Sequence, residues 1–322
     1  MVWCCKPIYR ISTLTTFPVG NREKWLEMRA RFNTTPTSSM LCSYFKCGFT
    51  SWNIALHERF ESGTRTAEKT NFFAERAKLH GTSMEPKARC AFESFLRFIS
   101  ETDGGFYKTT SNSGEISTVS LIQYGKSPID KVELLSTPDC LLFFNDYSGP
   151  GLAVAEFKCP FKCVVGRKDQ SVFTVVQNFL KEAPYGKEAA FIQAASYSLI
   201  HTATRFYTVF YFTDTVEEEY ILVFTYFPSE KLYEQIFEAI SASSDALKEL
   251  STLESTGGRS FRSPLGAQKT ISKLMKKCSL DTPLIYDVHN RSIIYCSLDE
   301  ESSDNGENSG PQIPGNPSSE RS

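Results

Sequence analysis

The segment 152–158 (LAVAEFK) is the feature of this sequence that most constrains its fold. It is short and apolar, it favours a β-strand, and a Ser-Gly-Pro-Gly turn precedes it. Because side chains i and i+2 of a strand point to the same face, Glu156 and Lys158 project together, and Phe157 projects to the opposite face. A strand that ends with an acid and a base on one face either pairs these groups or presents them to another molecule.

A second acidic residue, Asp139, lies 17 residues before Glu156 and directly follows a proline. Hydrophobic runs on either side of Asp139 predict further strands, and the turn residues between them indicate a β-meander. In that meander Asp139 comes close to Glu156. The predicted strands are residues 115–124, 131–135, 141–145 and 152–158.

Two carboxylates next to a lysine suit metal-assisted phosphodiester hydrolysis. Hard divalent cations prefer oxygen ligands, and a bound cation polarises a phosphoryl oxygen and lowers the pKa of a bound water. Lys158 could orient that water or neutralise the developing charge. The alternative interpretation is a surface pair of Glu156 and Lys158 on an edge strand, with Asp139 serving only as a turn residue.

The length and composition are those of a globular protein. A chain of 322 residues, 41% hydrophobic and 22% charged, can form one large domain or two small ones. No run approaches the roughly 18 apolar residues of a membrane span, and residues 1–17 lack the apolar core of a signal peptide. We therefore expect a soluble intracellular protein of the nucleus or the cytoplasm, without a membrane partner.

The cysteines do not predict a metal site. The ten cysteines include no C-x-x-C pair, and none of the four histidines lies near a cysteine pair. This spacing argues against zinc and against an iron–sulfur cluster. Reduced thiols that pack as small hydrophobic side chains are the favoured interpretation.

The net charge of −2 is unevenly distributed along the chain. Residues 299–322 carry six acids and one base, so the remainder has a charge of +3. The segment 259–277 has six lysines and arginines and no acid, and smaller basic clusters occur in 22–31 and 162–168. Such clusters can follow a phosphate backbone, although for each cluster alone a solvated face is the favoured interpretation.

Helical periodicity predicts the elements that surround the strands. An amphipathic helix begins near residue 21 and ends at Pro36, and a second helix leads from Glu85 to about residue 100. Thr82 and Glu85 match a capping box, but Pro86 is poorly placed for one, which makes Glu85 a candidate for another task. Further helices are predicted over 187–202, 229–250 and 268–277, and further strands over 205–213, 220–227 and 293–296.

Several short motifs occur in order between residues 20 and 227. They are Trp25-x-x-x-Arg29 followed by Thr37-Ser38-Ser39, Gly81-x-x-x-Glu85-x-x-Ala88, Thr137-Pro138-Asp139, Glu156-Phe157-Lys158-Cys159-Pro160-Phe161, and Gln193 with Tyr197. This order resembles the PD-(D/E)XK nuclease superfamily, and more closely its YqaJ-type viral recombinase family, which includes lambda-exonuclease-like enzymes. Cys140 stands where that family usually has glycine, and the gaps after Arg29 and Lys158 are longer than usual.

The resemblance implies an α/β fold with a restriction-endonuclease-like core, in which a central mixed β-sheet is flanked by helices. On this basis we divide the chain into an N-terminal arm (1–20), a nuclease domain (21–252), a basic C-terminal extension (253–298) and an acidic tail (299–322). The tail consists largely of Ser, Asn, Gly, Pro and acidic residues. It cannot bury enough apolar area to fold, and we expect it to be disordered.

The resemblance also implies a role for each matched residue. Asp139 and Glu156 would ligate Mg²⁺ or Mn²⁺ with the Phe157 carbonyl. Lys158 would orient or activate the attacking water. Glu85 would support the metal site, and Gln193 would support the lysine or the water. Arg29, with Ser38 or Ser39, would hold the 5′-phosphate.

The implied function is that of a metal-dependent DNA exonuclease, acting 5′ to 3′ on linear duplex DNA in the recombination or replication of viral or mobile DNA. DNA is the implied partner, and a single-strand annealing protein accompanies some relatives. One alternative is a structure-selective or transposon-type endonuclease on the same core. Another is a catalytically inactive DNA-binding protein, against which the intact set of Asp139, Glu156 and Lys158 argues.

Overall fold

A computed structural model describes ten stretches of the chain, in which ten strands and seven helices are found. The described residues are 12–18, 32–48, 50–61, 72–110, 116–123, 131–160, 170–181, 185–213, 218–252 and 260–295. The predicted helix from residue 21 to Pro36 lies outside these residues as far as residue 31, Arg29 included, and residues 32–35 form a turn where a helix was predicted. The acidic tail also lies outside the described residues.

The strands form two sheets. A seven-stranded sheet has the order β10-β9-β8-β7-β6-β5-β2, and a three-stranded sheet has the order β1-β3-β4. The strands are β1 (Ser12–Pro18), β2 (Phe106–Thr110), β3 (Ile116–Gln123), β4 (Lys131–Ser136), β5 (Cys140–Asp146), β6 (Gly149–Lys158), β7 (Arg205–Thr213), β8 (Glu219–Tyr226), β9 (Ser279–Asp287) and β10 (Ser292–Tyr295).

The larger sheet is mixed. Strands β6 and β7 are parallel, whereas the other neighbouring pairs are antiparallel. The chain between β6 and β7 contains two helices, as a parallel connection requires. The helices are α1 (Ser38–Tyr44), α2 (Trp52–Glu61), α3 (Phe72–Asp103), α4 (Val172–Lys181), α5 (Tyr185–His201), α6 (Glu230–Thr252) and α7 (Ala267–Cys278).

Helices cover both faces of the seven-stranded sheet, which confirms the predicted fold class. On one face, Phe92 and Phe95 of α3 pack with Phe157 and Tyr207 of the sheet. Helices α1, α5, α6 and α7 pack on the other face. Because successive strand residues alternate between faces, Val154 packs on the α5 side and Phe157 on the α3 side. Each fully buried aromatic side chain contributes about 2 to 3 kcal/mol to the free energy of unfolding.

Two predictions about the strands were wrong. The predicted meander is split between the sheets: β3 and β4 pair with each other, whereas β5 and β6 pair within the larger sheet. The N-terminal segment contains a strand, β1, which pairs with β3 and which its weak periodicity did not predict. Strands β2 and β9 were also missed, although their neighbours were predicted.

The helix that contains Glu85 was predicted too short. Helix α3 runs from Phe72 to Asp103 and includes Pro86 in its interior. Thr82 and Glu85 therefore lie within the helix and do not form a capping box at its start. Proline removes one helical N–H but is tolerated when packing fixes the helix elsewhere, as Ala88 and Phe92 do here by complete burial.

The described part of the predicted C-terminal extension belongs to the folded core. Strand β9 pairs with β8, and Ile271 and Leu274 of α7 are buried among α5 and α6 residues. The exposed basic residues of this segment are Lys269, Lys273, Lys276 and Lys277 on α7, and Arg262 and Arg291 outside it. Within the described residues, no helix has the length and apolarity needed to span a membrane.

Candidate active site

The pairing of β5 with β6 brings two distant acidic residues together. Cys140 lies opposite Ala155 in this antiparallel pair, so one step further along the ladder places Asp139 beside Glu156. The two side chains emerge on the sheet face that α5 covers, since Val154 points to that face and strand residues alternate. The register of β5 and β6 therefore brings together Asp139 and Glu156, which lie 17 residues apart in sequence.

A backbone hydrogen bond fixes the position of Asp139. The Phe157 N–H donates to Asp139 Oδ2 at 2.8 Å. Phe157 itself is 5% exposed, and its ring packs edge-on against Phe92 of α3 with a centroid distance of 5.7 Å. Packing on one face of β6 thus determines where the carboxylate lies on the other.

Lys158 completes the group at the open edge. Its Nζ donates to Glu156 Oε1. The Lys158 side chain is 35% exposed and that of Glu156 only 4%. The amine therefore lies at the boundary between the buried carboxylates and solvent, where a substrate phosphate or a water can reach it.

The electrostatics are those of a crowded anionic site. Burial, followed by the negative charge of Asp139, raises the pKa of Glu156 to about 8, although Lys158 acts in the opposite direction. Burial also raises the pKa of Asp139, against Lys158 and the Phe157 N–H. Burial alone would lower the pKa of Lys158, but Glu156 and Asp139 together raise it. The two carboxylates, of buried Glu156 and half-buried Asp139, carry more negative charge than Lys158 alone neutralises, so a cation would be bound favourably between them.

The residues fit a hard divalent cation. Within the described chain, Glu156 Oε2 is a buried oxygen without a hydrogen-bond partner. An unsatisfied buried carboxylate oxygen is costly, and an oxygen-seeking cation would satisfy it. No group of three or more His, Cys, Asp or Glu side chains with metal-binding geometry occurs among the described residues. The protein would therefore supply the carboxylates of Asp139 and Glu156, and the Phe157 carbonyl and water or phosphate oxygens would be the other ligands.

Glu85 and Arg89 reach this site from helix α3. Arg89 Nη2 donates to the Asp139 carbonyl at 3.4 Å and lies 3.7 Å from Glu85 Oε1, one helical turn earlier. Burial, and then the charge of Asp139, raise the pKa of Glu85. Glu85 is thus within electrostatic reach of the carboxylate pair, and its nearest described partner is Arg89.

Helices α1 and α5 form the wall over the carboxylates. The hydroxyls of Ser38 and Tyr197 share a hydrogen bond of 2.7 Å, and both residues are buried. Burial, followed by the charges of Glu156 and Asp139, raises the pKa of Tyr197 well above its usual value. Gln193 lies one turn before Tyr197 on α5 and is half-buried, which places it on the same side of the helix.

The two candidate serines differ in accessibility. Thr37 caps α1, and its side chain accepts a hydrogen bond from the Met40 N–H. Ser38 is turned inward to Tyr197, whereas Ser39 is exposed and its hydroxyl lies 3.0 Å from the Thr37 hydroxyl. Of the two predicted phosphate contacts, Ser39 is therefore the one open to a substrate.

Sequence reasoning missed two residues close to the carboxylates. Arg89 follows the matched motif of α3 by one residue, and only the packing of α3 against the strand end reveals its contact with Asp139. Burial raises the pKa of the Cys42 thiol to about 12, with Lys158 and Glu156 as its charged neighbours. No pattern in the sequence pointed to Cys42. Arg89 could have been found from its spacing, because it lies one helical turn after Glu85.

Comparisons with known proteins give a weak likeness. No protein-family model matches the sequence, and no curated protein matches it. The fold is similar to that of LHK-Exo, an alkaline exonuclease from Laribacter hongkongensis, in a crystal structure with 18% identity and a TM-score of 0.43. A second crystal structure, of LHK-Exo in complex with dAMP, has 19% identity and a TM-score of 0.44, and the match covers 70% of this chain and 93% of that chain. At these values the likeness does not decide the function.

Proposed function

We propose that this protein is a divalent-metal-dependent deoxyribonuclease that hydrolyses phosphodiester bonds, with 5′-to-3′ exonuclease action on linear duplex DNA. The observation that carries the proposal is the convergence of Asp139 and Glu156 beside Lys158, with Glu156 Oε2 buried and unpaired. A surface ion pair on an edge strand would not be buried in this way, nor would it lie against a second carboxylate. The resemblance of the ordered motifs supports a role in the recombination or replication of viral or mobile DNA.

In the proposed site, Asp139 and Glu156 hold Mg²⁺ or Mn²⁺ with the Phe157 carbonyl. The bound cation would neutralise the phosphoryl oxygens and favour ionisation of a water. The two carboxylates suit this cation because it prefers hard oxygen ligands and negative charge.

The protein residues around that position have distinct tasks. Lys158, at the solvent boundary, orients the attacking water and stabilises negative charge that develops on the phosphate. Gln193 on α5 forms a hydrogen bond with the same water, either as donor or as acceptor. Glu85 contributes negative charge near the cation. Ser39 and Arg29 bind the terminal 5′-phosphate, which would place the first phosphodiester bond at the carboxylates.

The decisive experiment compares DNA substrates with the full-length protein. We would incubate it with an end-labelled, 5′-phosphorylated linear duplex and with a covalently closed circle, each with Mg²⁺ and with chelator. We expect the linear duplex to be degraded from its 5′ ends only with Mg²⁺, and the circle to persist.

Other outcomes separate the remaining functions. Cleavage of the closed circle would replace the exonuclease by an endonuclease on the same core. Binding of both DNA forms without cleavage, at every Mg²⁺ and Mn²⁺ concentration, would replace it by a DNA-binding protein without catalysis. Equal cleavage by the wild type and by Asp139→Asn would reject the site.

A further inference from the structure

Helix α7 has two opposite faces. Its apolar residues, Ala267, Ile271, Leu274 and Cys278, are buried in the core. Lys269, Lys273 and Lys276 are exposed, and their spacing of four and then three residues places them in one row on the outer side of the helix. The row spans seven residues, about 10 Å along the helix axis, which equals the axial rise of about three phosphates of one DNA strand.

The lysine row borders a concave surface. A cavity of about 340 Å³ is lined by the three lysines together with Gln268 and Ser272. Gln268 and Ser272 donate to the buried carboxylate of Glu188, so the ammonium groups of the three lysines are the donors that face phosphate oxygens. The described segment 260–278 contains five lysines and arginines and no acid.

The positive row is not the product of a generally basic protein. The whole chain has a formal charge of −2, so this surface differs from the average of the molecule. Glu188 at the start of α5, a carboxylate that contacts α7, is fully buried. It accepts hydrogen bonds from Gln268 Nε2 at 3.3 Å, from Cys47 Sγ at 3.3 Å and from Ser272. Glu188 therefore joins the inner side of α7 to α5. Among the described residues, none of the three lysines forms an ion pair with a carboxylate.

These contacts also place the start of the lysine row, at Lys269, at the same end of the sheet as the candidate active site, whereas Lys276 lies towards the opposite end, where the Phe227 N–H donates to the Cys278 carbonyl. Helix α5 precedes β7, which runs parallel to β6, so α5 begins at the end of the sheet where β6 ends with Lys158. Cys42, whose pKa responds to Lys158 and Glu156, donates from Sγ to the Ala189 carbonyl at 3.4 Å. Ala189 follows Glu188, which holds α7.

From these observations we propose that Lys269, Lys273 and Lys276 form a binding site for the phosphate backbone of DNA, which guides the duplex to the carboxylates. This inference rests on the proposed nuclease function and adds to it a second contact region for the substrate. The site recognises phosphate spacing and charge, and it is indifferent to base sequence.

The test removes the three charges and measures the salt dependence of binding. The triple variant Lys269→Gln/Lys273→Gln/Lys276→Gln is compared with a control, Arg97→Gln/Lys231→Gln/Lys248→Gln, which loses the same charge from exposed positions on α3 and α6. Binding of a 5′-phosphorylated linear duplex is measured with chelator, so that no cleavage occurs. Thermal unfolding of both variants checks that the fold is retained.

We expect the α7 variant to lose about 2.7 from the slope of log affinity against log salt, because each phosphate contact contributes about 0.9. Raising the salt from about 50 to about 200 mM should therefore weaken the wild type about 40-fold more than the α7 variant. The control should keep the wild-type slope. With Mg²⁺, the KM of the α7 variant for DNA should rise while kcat at saturation stays unchanged.

Failure of this inference and failure of the nuclease proposal give different results. An α7 variant with the wild-type slope, or a control that loses as much slope, overturns the backbone site even if cleavage is normal. If the wild type never cleaves DNA but the α7 variant alone loses its salt dependence, the backbone site stands and the nuclease proposal fails.

Discussion

The Asp139 carboxylate accepts a hydrogen bond from the backbone N–H of Phe157 at 2.8 Å. This bond joins the residue that precedes β5 to the residue that separates Glu156 from Lys158. The acid is therefore held by the backbone of the strand that carries the other two groups. Any movement of β6 against β5 would break this bond and separate Asp139 from Glu156 and Lys158.

Replacing Asp139 by asparagine should abolish most of the metal-dependent cleavage. The amide oxygen can still accept from the Phe157 N–H, so the local fold should survive, but one anionic ligand is lost. We expect kcat to fall about 10²- to 10³-fold, which corresponds to about 3 to 4 kcal/mol of transition-state stabilisation. Single-turnover cleavage of linear duplex measures the effect. The matched control is Asp245→Asn on an exposed position of α6, and equal activity of the two variants would remove Asp139 from the site.

Divalent cations should stabilise the folded protein. The pair of buried Glu156 and half-buried Asp139 is unfavourable without a cation, as the raised pKa of both carboxyl groups indicates. A ligand present at about 100 times its Kd adds about 2.7 kcal/mol to the free energy of unfolding. Thermal unfolding with Mg²⁺ and with chelator should show a higher Tm with Mg²⁺. The shift should vanish in Glu156→Gln, and a shift that persists there would mean that the cation binds elsewhere.

The hydrogen bond between Ser38 and Tyr197 should contribute to stability. Both hydroxyls are buried and lie 2.7 Å apart. Tyr197→Phe and Ser38→Ala should each cost about 1 to 3 kcal/mol, because each leaves one buried hydroxyl without its partner. Urea unfolding of both single variants and of the double variant measures the coupling. The double variant should cost about 1 kcal/mol less than the sum of the singles, and strictly additive costs would contradict the bond.

Arg89 should act as a positioning residue for the carboxylate site. Its guanidinium contacts both the Asp139 carbonyl and Glu85, so Arg89→Met removes the link between α3 and the start of β5. We expect a fall in kcat of about 10-fold or more, with little change in the KM for DNA, because displacement of a ligand by a fraction of an ångström affects the reaction more than binding.

Arg97→Met provides the comparison for Arg89, because Arg97 is exposed on the same helix two turns later. Arg89→Lys should restore part of the activity by keeping one donor near the carbonyl. If Arg89→Met raises the KM and leaves kcat intact, the residue binds DNA and does not position Asp139.

The buried His201 should make stability depend on pH in the acidic range. Burial lowers the pKa of His201 to about 4, and its Nε2 is a buried atom without a hydrogen-bond partner among the described residues. An unfolded histidine has a pKa of about 6.5, so between these values the unfolded chain binds a proton that the folded chain excludes. The contribution is fully present above pH 6.5 and is lost as pH falls towards 4.

Urea unfolding of the wild type and of His201→Gln at about pH 7 and pH 5 tests this dependence. The wild type should lose about 1 to 2 kcal/mol more than the variant over this interval. Other groups that titrate in the range affect both proteins equally, so the difference isolates the histidine. Parallel losses would show that His201 is already protonated in the folded state.

Local patterns were sufficient to identify the elements that carry the site. The run before Lys158 predicted β6, because alternation of side chains and the preceding turn residues act within a few positions of the chain. Helix α5 and strands β7 and β8 were predicted for the same reason. The acid and the base of β6, and the acid before β5, were visible as residue types at this level.

The sequence by itself determined the chemistry available at the strand ends: Asp139, Glu156 and Lys158, and the absence of acids from the outer face of α7. Only the tertiary structure decided that β5 pairs with β6 in the larger sheet, that Arg89 reaches Asp139, and that α7 packs on Glu188. The physical reason is range. A strand or a helix depends on neighbours a few residues away, whereas register, burial and the pKa of a carboxyl group depend on residues brought together from distant parts of the chain.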